Sequence, residues 1–407
     1  MERPFPAIAV SDKAARALRG GHPWVYAGEV LTRGDPCPDG EIVDVFSAKG
    51  RWLGAGFYNS RSQICVRVLS RSTNDRMDEA FFDRRIRYAV DYRRRVMGED
   101  FSDCRLIFGE ADGFPGWTVD RFGDVLVSEV LCLGIEQRRD MLYARLREAL
   151  RAHGAEIRVI YERNESAIRS KEGLSCGKGA YAAPGLETDP DGHVEICENG
   201  IFYDVDYING QKTGFFLDQK YNRAAAARLA PGMRVLDCFT HTGAFALNCA
   251  AAGAAGVTAV DVSADALSRA EKNARRNGLD GRIEFVQADV FDYLTALAKN
   301  REKPFDYIIL DPPAFTKSGA TVEAARRGYR EINRRAMQLL PRGGYLATCS
   351  CSHFMTDELF RAMLADAAGD ASASLRQIEN RRQSPDHPIL WGVPETEYLK
   401  FYLFQVV

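Results

Sequence analysis

Short apolar runs alternate with helix-forming stretches along the second half of the chain. Val235 and Leu236 run into Asp237, an Ala-rich stretch of helical character follows, and Val257 to Val260 leads to Asp261. The spacing from Ala264 to Asn277 predicts a helix stopped by Gly278. Ile283 to Val286 predicts a strand leading to Asp289. Phe305 to Leu310 predicts a wholly apolar strand that runs into Asp311-Pro312-Pro313-Ala314-Phe315. A basic helix over Ala324 to Leu340, a strand over Tyr345 to Ser352, a helix from about Asp357 to Ala368, and strands near Leu375 and over Tyr398 to Val406 complete the pattern. This alternation predicts an α/β fold with an open, Rossmann-like parallel sheet.

The first half follows a different rhythm. Up to about residue 72, short strands (Ile42 to Phe46, Trp52 to Tyr58, Ile64 to Leu69) are separated by Gly-rich turns, with one short helix over Asp12 to Leu18. This predicts a small β-barrel with one helix. From Met77 to Met97 apolar residues recur at helical spacing. Its arginines (Arg84, Arg85, Arg87, Arg93, Arg94, Arg95) read as a solvated face, given the interleaved Asp83 and Asp91. Residues 103–205 read strand, strand, helix, strand, strand: two β-hairpins about a helix, a middle α+β domain, with Gly173 to Gly192 as an exposed connector. The expected domains are 1–72, 73–205 and 206–407.

Chemistry enters at the strand ends, because ligands of open parallel sheets sit outside their carboxyl edges. Asp261, about 20 residues past the turn after Asp237, suits both hydroxyls of a ribose. The turn itself, Cys238-Phe239-Thr240-His241-Thr242-Gly243, has bulky groups where a dinucleotide needs glycines, and no phosphate loop is present. A nucleoside without phosphates fits better, and S-adenosylmethionine is the common one. Asp289 suits an adenine amino group. Thr213 and Phe215, in Gln211-Lys212-Thr213-Gly214-Phe215-Phe216-Leu217-Asp218-Gln219-Lys220, would line the same cleft. The cofactor set is therefore Asp237, Phe239, Thr242, Gly243, Asp261, Asp289, Thr213 and Phe215.

Composition narrows the partners. A net charge of −2 and a pI of about 6.4 leave nucleic-acid binding to local basic patches. The 10 cysteines show neither disulfide-framework spacing nor a C-x-x-C pair, which argues against zinc and for a reducing cytoplasm. No leader-like segment or membrane-length apolar run is read.

Two resemblances sharpen this reading. Gly20-Gly21-His22-Pro23-Trp24-Val25-Tyr26 and the strand after it resemble a PUA domain, a small RNA-binding module. QKTGFFLDQK, VLDCFTHTGAF, DPPAF, RGYREIN and ATCSCSHFM, in that order, resemble the RlmI family of bacterial large-subunit rRNA (cytosine-C5) methyltransferases over essentially the whole chain. The resemblance implies a class I methyltransferase acting on 23S rRNA or a large-subunit precursor, with no membrane partner and a homodimer as its assembly.

Cytosine C5 is not nucleophilic, so thiolate attack at C6 must first turn the ring into an enamine. Cys349 and Cys351 lie at i and i+2 on one predicted strand, so periodicity does not choose between them. Cys351 is nearer the carboxyl end and matches the family's cysteine, making it the expected nucleophile. Asp311 is expected either at the cytosine N3–amino edge or as the base for the C5 proton, with His353 a weaker candidate base. The rival readings are a uracil- or amino-directed RNA methyltransferase, and a non-catalytic RNA-binding ribosome-assembly factor.

Overall fold

The computed structural model describes residues 4–33, 37–299, 304–316 and 318–407. Two compact units emerge. The first is Met1–Ile196 with Val205–Leu217 and Pro385–Thr396; the second is Cys197–Asp204, Asp218–Ser384 and Glu397–Val407.

In the first unit, the N-terminal strands form one six-stranded sheet in the order Trp24–Tyr26, Ile64–Ser70, Trp52–Tyr58, Ile42–Ser47, Ala7–Val10, Val30–Arg33. Helix Asp12–Arg19 buries Ala14, Ala15 and Leu18 against it. Gly56 is required here, since a Cβ would sit 2.1 Å from the Arg67 carbonyl oxygen on the neighbouring strand.

The middle region departs from the expected pair of hairpins. Asp103–Phe108, Trp117–Phe122 and Val125–Val130 form an antiparallel meander. After helix Arg139–Ala152 the chain returns as Val159–Asn164, parallel to Val125–Val130. A helical crossover restores strand direction, so a parallel neighbour is its natural product. Gly177–Ala180 adds an edge strand inside the expected connector. The hairpin His193–Glu198/Ile201–Asp206 makes a two-stranded sheet of its own, and its tip belongs to the second unit. There Asn199 donates to the Lys220 carbonyl and to Asn248, tying down the turn.

The arginine-rich helix Glu79–Met97 corrects a second expectation. Arg84, Arg87, Arg94 and Arg95 are exposed, but Arg93 is fully buried, with its guanidinium on Asp112 and the Arg105 carbonyl. Arg85 donates to the carbonyls of Gly113 and Leu69, and burial lowers its pKa to about 10. Charge marks a side chain as polar; it does not say whether its partners are water or carbonyl oxygens.

The second unit is built on seven strands: β1 (Arg234–Cys238), β2 (Gly256–Asp261), β3 (Ile283–Gln287), β4 (Tyr307–Leu310), β5 (Tyr345–Ser350), β6 (Leu375–Arg381) and β7 (Lys400–Val406). Their order is β3-β2-β1-β4-β5-β7-β6. The first five are parallel, and β7 runs antiparallel to both β5 and β6. Helices α1 (Lys220–Ala227), α2 (Ala244–Ala251), α3 (Ala264–Arg276), α4 (Val290–Lys299), α5 (Val322–Leu339) and α6 (Asp357–Asp370) accompany the sheet. Leu236, Ile308, Leu310 and Leu346 are wholly buried, each contributing roughly 1.5–3 kcal/mol of transfer free energy. Because β1 to β5 are parallel, their carboxyl ends lie on one edge. Strand order reverses between β1 and β4, which opens a crevice there.

Candidate active site

The turn between β1 and α2 carries unusual backbone. Phe239, His241 and Gly243 all have positive φ, at 63°, 53° and 82°. For the two non-glycine residues this costs of order 1–3 kcal/mol each and persists only if neighbours enforce it. Two carboxylates do so. Asp237 Oδ2 accepts from Thr240 Oγ1 at 2.5 Å and from the Ala246 N–H at 3.0 Å. Asp261 Oδ2 accepts from the His241 N–H, and its Oδ1 from the Ser263 N–H, both at 2.9 Å. Gly243 is needed for its φ and for space, since a Cβ would stand 3.0 Å from Ala270 Cβ. Thr242 is buried beside it.

These groups suit a positively charged nucleoside. Each Asp261 oxygen spends one lone pair on a backbone N–H, leaving acceptor capacity for ribose hydroxyls. Val262, next in the chain, is 67% exposed, an apolar surface beside the Asp261 carboxylate. Asp289 is exposed and caps α4 by accepting the Asp292 N–H at Oδ1, with Oδ2 left over. Asp237 is fully buried, and burial pushes its pKa up to about 7. Its Oδ1 has no donor among the described residues, a vacancy that a cationic ligand group would fill.

Across the crevice lies the end of β4. Asp311 is half-buried, and loss of water, then the nearby Asp218 charge, pushes its pKa up to about 7. Gln219 Nε2 donates to Asp311 Oδ1 at 3.0 Å, and the Cys349 thiol also bonds to Asp311. Asp218 in turn accepts from Tyr398 Oη at 2.6 Å. Phe315, past the two prolines, packs edge-on against Phe239 and lies 4.6 Å, ring to ring, from Tyr329. The Tyr329 Oη accepts from Ser350 Oγ on β5.

β5 ends at Ser350, one residue before Cys351. That separates the two cysteines that periodicity alone leaves equivalent. Cys349 is 0% exposed inside the sheet, and burial raises its thiol well above the ordinary value. Cys351 is half-buried beyond the strand, with Sγ 4.0 Å from the Pro312 carbonyl oxygen. His353 follows in a turn, its Nδ1 buried without a partner among the described residues.

Asp237, Phe239, Thr242, Gly243, Asp261, Asp289, Asp311 and Cys351 are thus gathered at the carboxyl ends of β1 to β5. Thr213 and Phe215 lie in the first unit, both buried, and Thr213 Oγ1 donates to Asp120 at 2.5 Å. From the same sequence string it is Gln219 that reaches Asp311. Gln219 and Tyr329 lie inside the strings QKTGFFLDQK and RGYREIN without standing out there, whereas Val262 and Tyr398 lie outside any such string. The available signals are the polar residues of those strings and an apolar residue directly after a strand-end aspartate.

A family model described as S-adenosylmethionine-dependent methyltransferase matches residues 178–405, and one described as a PUA-like domain matches residues 8–71. The chain is similar to ribosomal RNA large subunit methyltransferase I of Klebsiella pneumoniae, 39% identical over 405 residues, covering 99% of both chains. The same protein of Salmonella arizonae is 40% identical, over 99% of this chain and 98% of that one. Among solved structures, a Streptococcus mutans protein described as a SAM-dependent methyltransferase superposes with a TM-score of 0.81 at 22% identity, over 98% of this chain and 99% of that one. A methyltransferase complexed with SAH gives 0.82 at 22% identity, with the same coverage. These last two are likenesses of fold.

Proposed function

Because this chain belongs to the ribosomal RNA large subunit methyltransferase I family, we propose that it methylates C5 of a cytosine in 23S rRNA through a covalent Cys351 adduct. The observation that carries this reading is the division of labour at the end of β5. Cys349 is buried behind Asp311, while Cys351 stands half-exposed against the loop that follows Asp311. A methyltransferase acting on an exocyclic amine needs no thiol there.

Asp261, Val262 and Asp289 hold the nucleoside part of S-adenosylmethionine, with Asp237, Phe239, Thr242 and Gly243 shaping its seat. When bound, the cofactor supplies an electrophilic methyl group. Cys351 thiolate adds to C6, forming the S–C6 bond and shifting the C5–C6 π electrons toward C5. Asp311 is poised near pH 7 between its two protonation states, so it can donate a proton to N3 as that charge develops. As C5 takes the methyl group the N3 proton returns to Asp311; a base then removes the C5 proton, the C5–C6 double bond re-forms, and the thiolate leaves. A base paired in a helix must first be flipped out.

The N-terminal PUA-like domain is proposed to hold rRNA, as free 23S rRNA or a large-subunit precursor. The domains are taken as 1–72, 73–205 and 206–407, in a homodimer working in the cytoplasm. Among the described residues no helix is long and apolar enough to cross a membrane. Bisulfite sequencing of large-subunit rRNA from a strain lacking the gene tests the function. One protected cytosine should become convertible and regain protection on complementation. Unchanged protection throughout, or loss of a uracil or amino methylation instead, would overturn the proposal.

A further inference from the structure

Lys400 opens β7, directly opposite Ser350 in the antiparallel pairing with β5. A lysine at the head of a buried strand calls for explanation, because an ammonium taken out of water costs several kcal/mol unless it is compensated. Lys400 is 3% exposed. Its Nζ donates to the carbonyl oxygens of Ser352, at 2.6 Å, and Tyr398, at 2.7 Å. Among the described residues no carboxylate lies within ion-pair distance of it. The nearest acids are already engaged. Glu397 pairs with Arg382, and Asp357 accepts from both Tyr402 and Arg382. The Ser352 carbonyl that anchors the ammonium belongs to the residue bonded to Cys351, so the buried cation is tied to the backbone one residue past the thiol.

We infer that Lys400 is a positioning residue for Cys351: its ammonium supplies the counter-charge that favours the thiolate and fixes the backbone carrying it. The inference rests on the reading of Cys351 as the nucleophile, and it assigns a second residue to that step. Thiolate formation releases the Sγ proton to solvent and sets S⁻ on half-buried Cys351 in the field of the buried ammonium, which offsets the isolation of that charge. The surrounding charges agree. Burial lowers Lys400 to about pKa 8, and of the influences that oppose burial the Cys351 charge is the largest, ahead of Asp357 and Glu397; Arg382 adds to the lowering. From the other side, Tyr329 on α5 and Cys349 on β5 also feel the Cys351 charge, and both are held neutral by burial.

Alkylation of the RNA-free, full-length protein by iodoacetamide, followed by mass mapping of the Cys351 peptide across pH, tests this without requiring any turnover. In Lys400→Met the pH of half-maximal rate at Cys351 should rise by about one unit, a roughly tenfold slower reaction at neutral pH. An unchanged profile in the folded variant would overturn the inference. A purely structural lysine would alter folding but would not move this profile. The reciprocal measurement uses Cys351→Ala, whose half-buried side chain is easily lost: ¹³Cε-labelled Lys400 should titrate at lower pH than in the wild type. If Lys400→Met fails to fold, this titration decides, and an unshifted Lys400 refutes the inference. Because neither readout involves cytosine, a normal coupling with no adduct on RNA would sink the nucleophile assignment alone.

Discussion

Gln219 donates its side-chain amide to Asp311 Oδ1 at 3.0 Å, joining the segment before α1 to the end of β4. The bond holds a carboxyl that burial and Asp218 have made reluctant to ionise. Its folded pKa of about 7 lies well above the value of about 3.9 for an unfolded aspartate. Folding therefore takes up a proton between these values. The resulting penalty on the native state grows as pH rises from 4 toward 7 and is complete above 7. Asp311→Asn should stabilise the protein at pH 8 by about 1–2 kcal/mol, allowing for partial screening. It should do nothing at pH 4, and it should abolish most turnover. Thermal unfolding at the two pH values checks this, and equal stabilisation at both would refute the titration.

In the proposed site Asp261 and Val262 divide cofactor binding between charge and apolar contact. Asp261→Ala should weaken S-adenosylmethionine binding at least about tenfold, since charge-assisted hydrogen bonds are each worth roughly 1.5–3 kcal/mol. Val262→Ala should weaken it about threefold to tenfold with little change in stability, because the side chain is 67% exposed and buries area only against a ligand. Calorimetric titration of both variants separates the two. Unaltered affinity in Asp261→Ala would remove the ribose assignment.

Gly243→Ala should cost about 1–3 kcal/mol. The added Cβ meets Ala270 at 3.0 Å, and φ is +82°. The strain falls on the turn held by Asp237 and Asp261, so cofactor affinity should drop along with stability. Urea unfolding and calorimetry report the two losses. A variant as stable as the wild type would mean that the turn relaxes freely.

The core of the second unit is legible in the sequence because strands buried on both faces are continuous apolar runs, as over Phe305 to Leu310. Strand direction is less legible: the run from Lys400 to Val406 reads alike whether parallel or antiparallel, and only its pairing with β5 and β6 decides. The Asn199-Gly200 turn is visible, but which unit receives it depends on Asn199 bonding to Lys220 and Asn248. Likewise the return of 385–396 to the first unit has no local signature. Within the site, aspartates at strand ends announce themselves, whereas Gln219 and Lys400 matter through contacts distant in sequence. The two cysteines are the sharpest case, since a strand ending at Ser350, two residues earlier than expected, leaves Cys349 inside the sheet and Cys351 beyond it without changing the pattern.

In the proposed mechanism Cys351, and not Cys349, attacks cytosine C6. RNA carrying 5-fluorocytosine at the target position measures it most directly, because fluorine at C5 blocks the proton loss that releases the thiol. Incubated with this RNA and S-adenosylmethionine, the wild-type protein should form an adduct that survives denaturing electrophoresis, with the nucleotide mapped by mass spectrometry to the Cys351 peptide. Cys351→Ala should lose both the adduct and turnover, while Cys349→Ala should keep the adduct. A nucleotide mapped to Cys349, or full turnover in Cys351→Ala, would contradict the account.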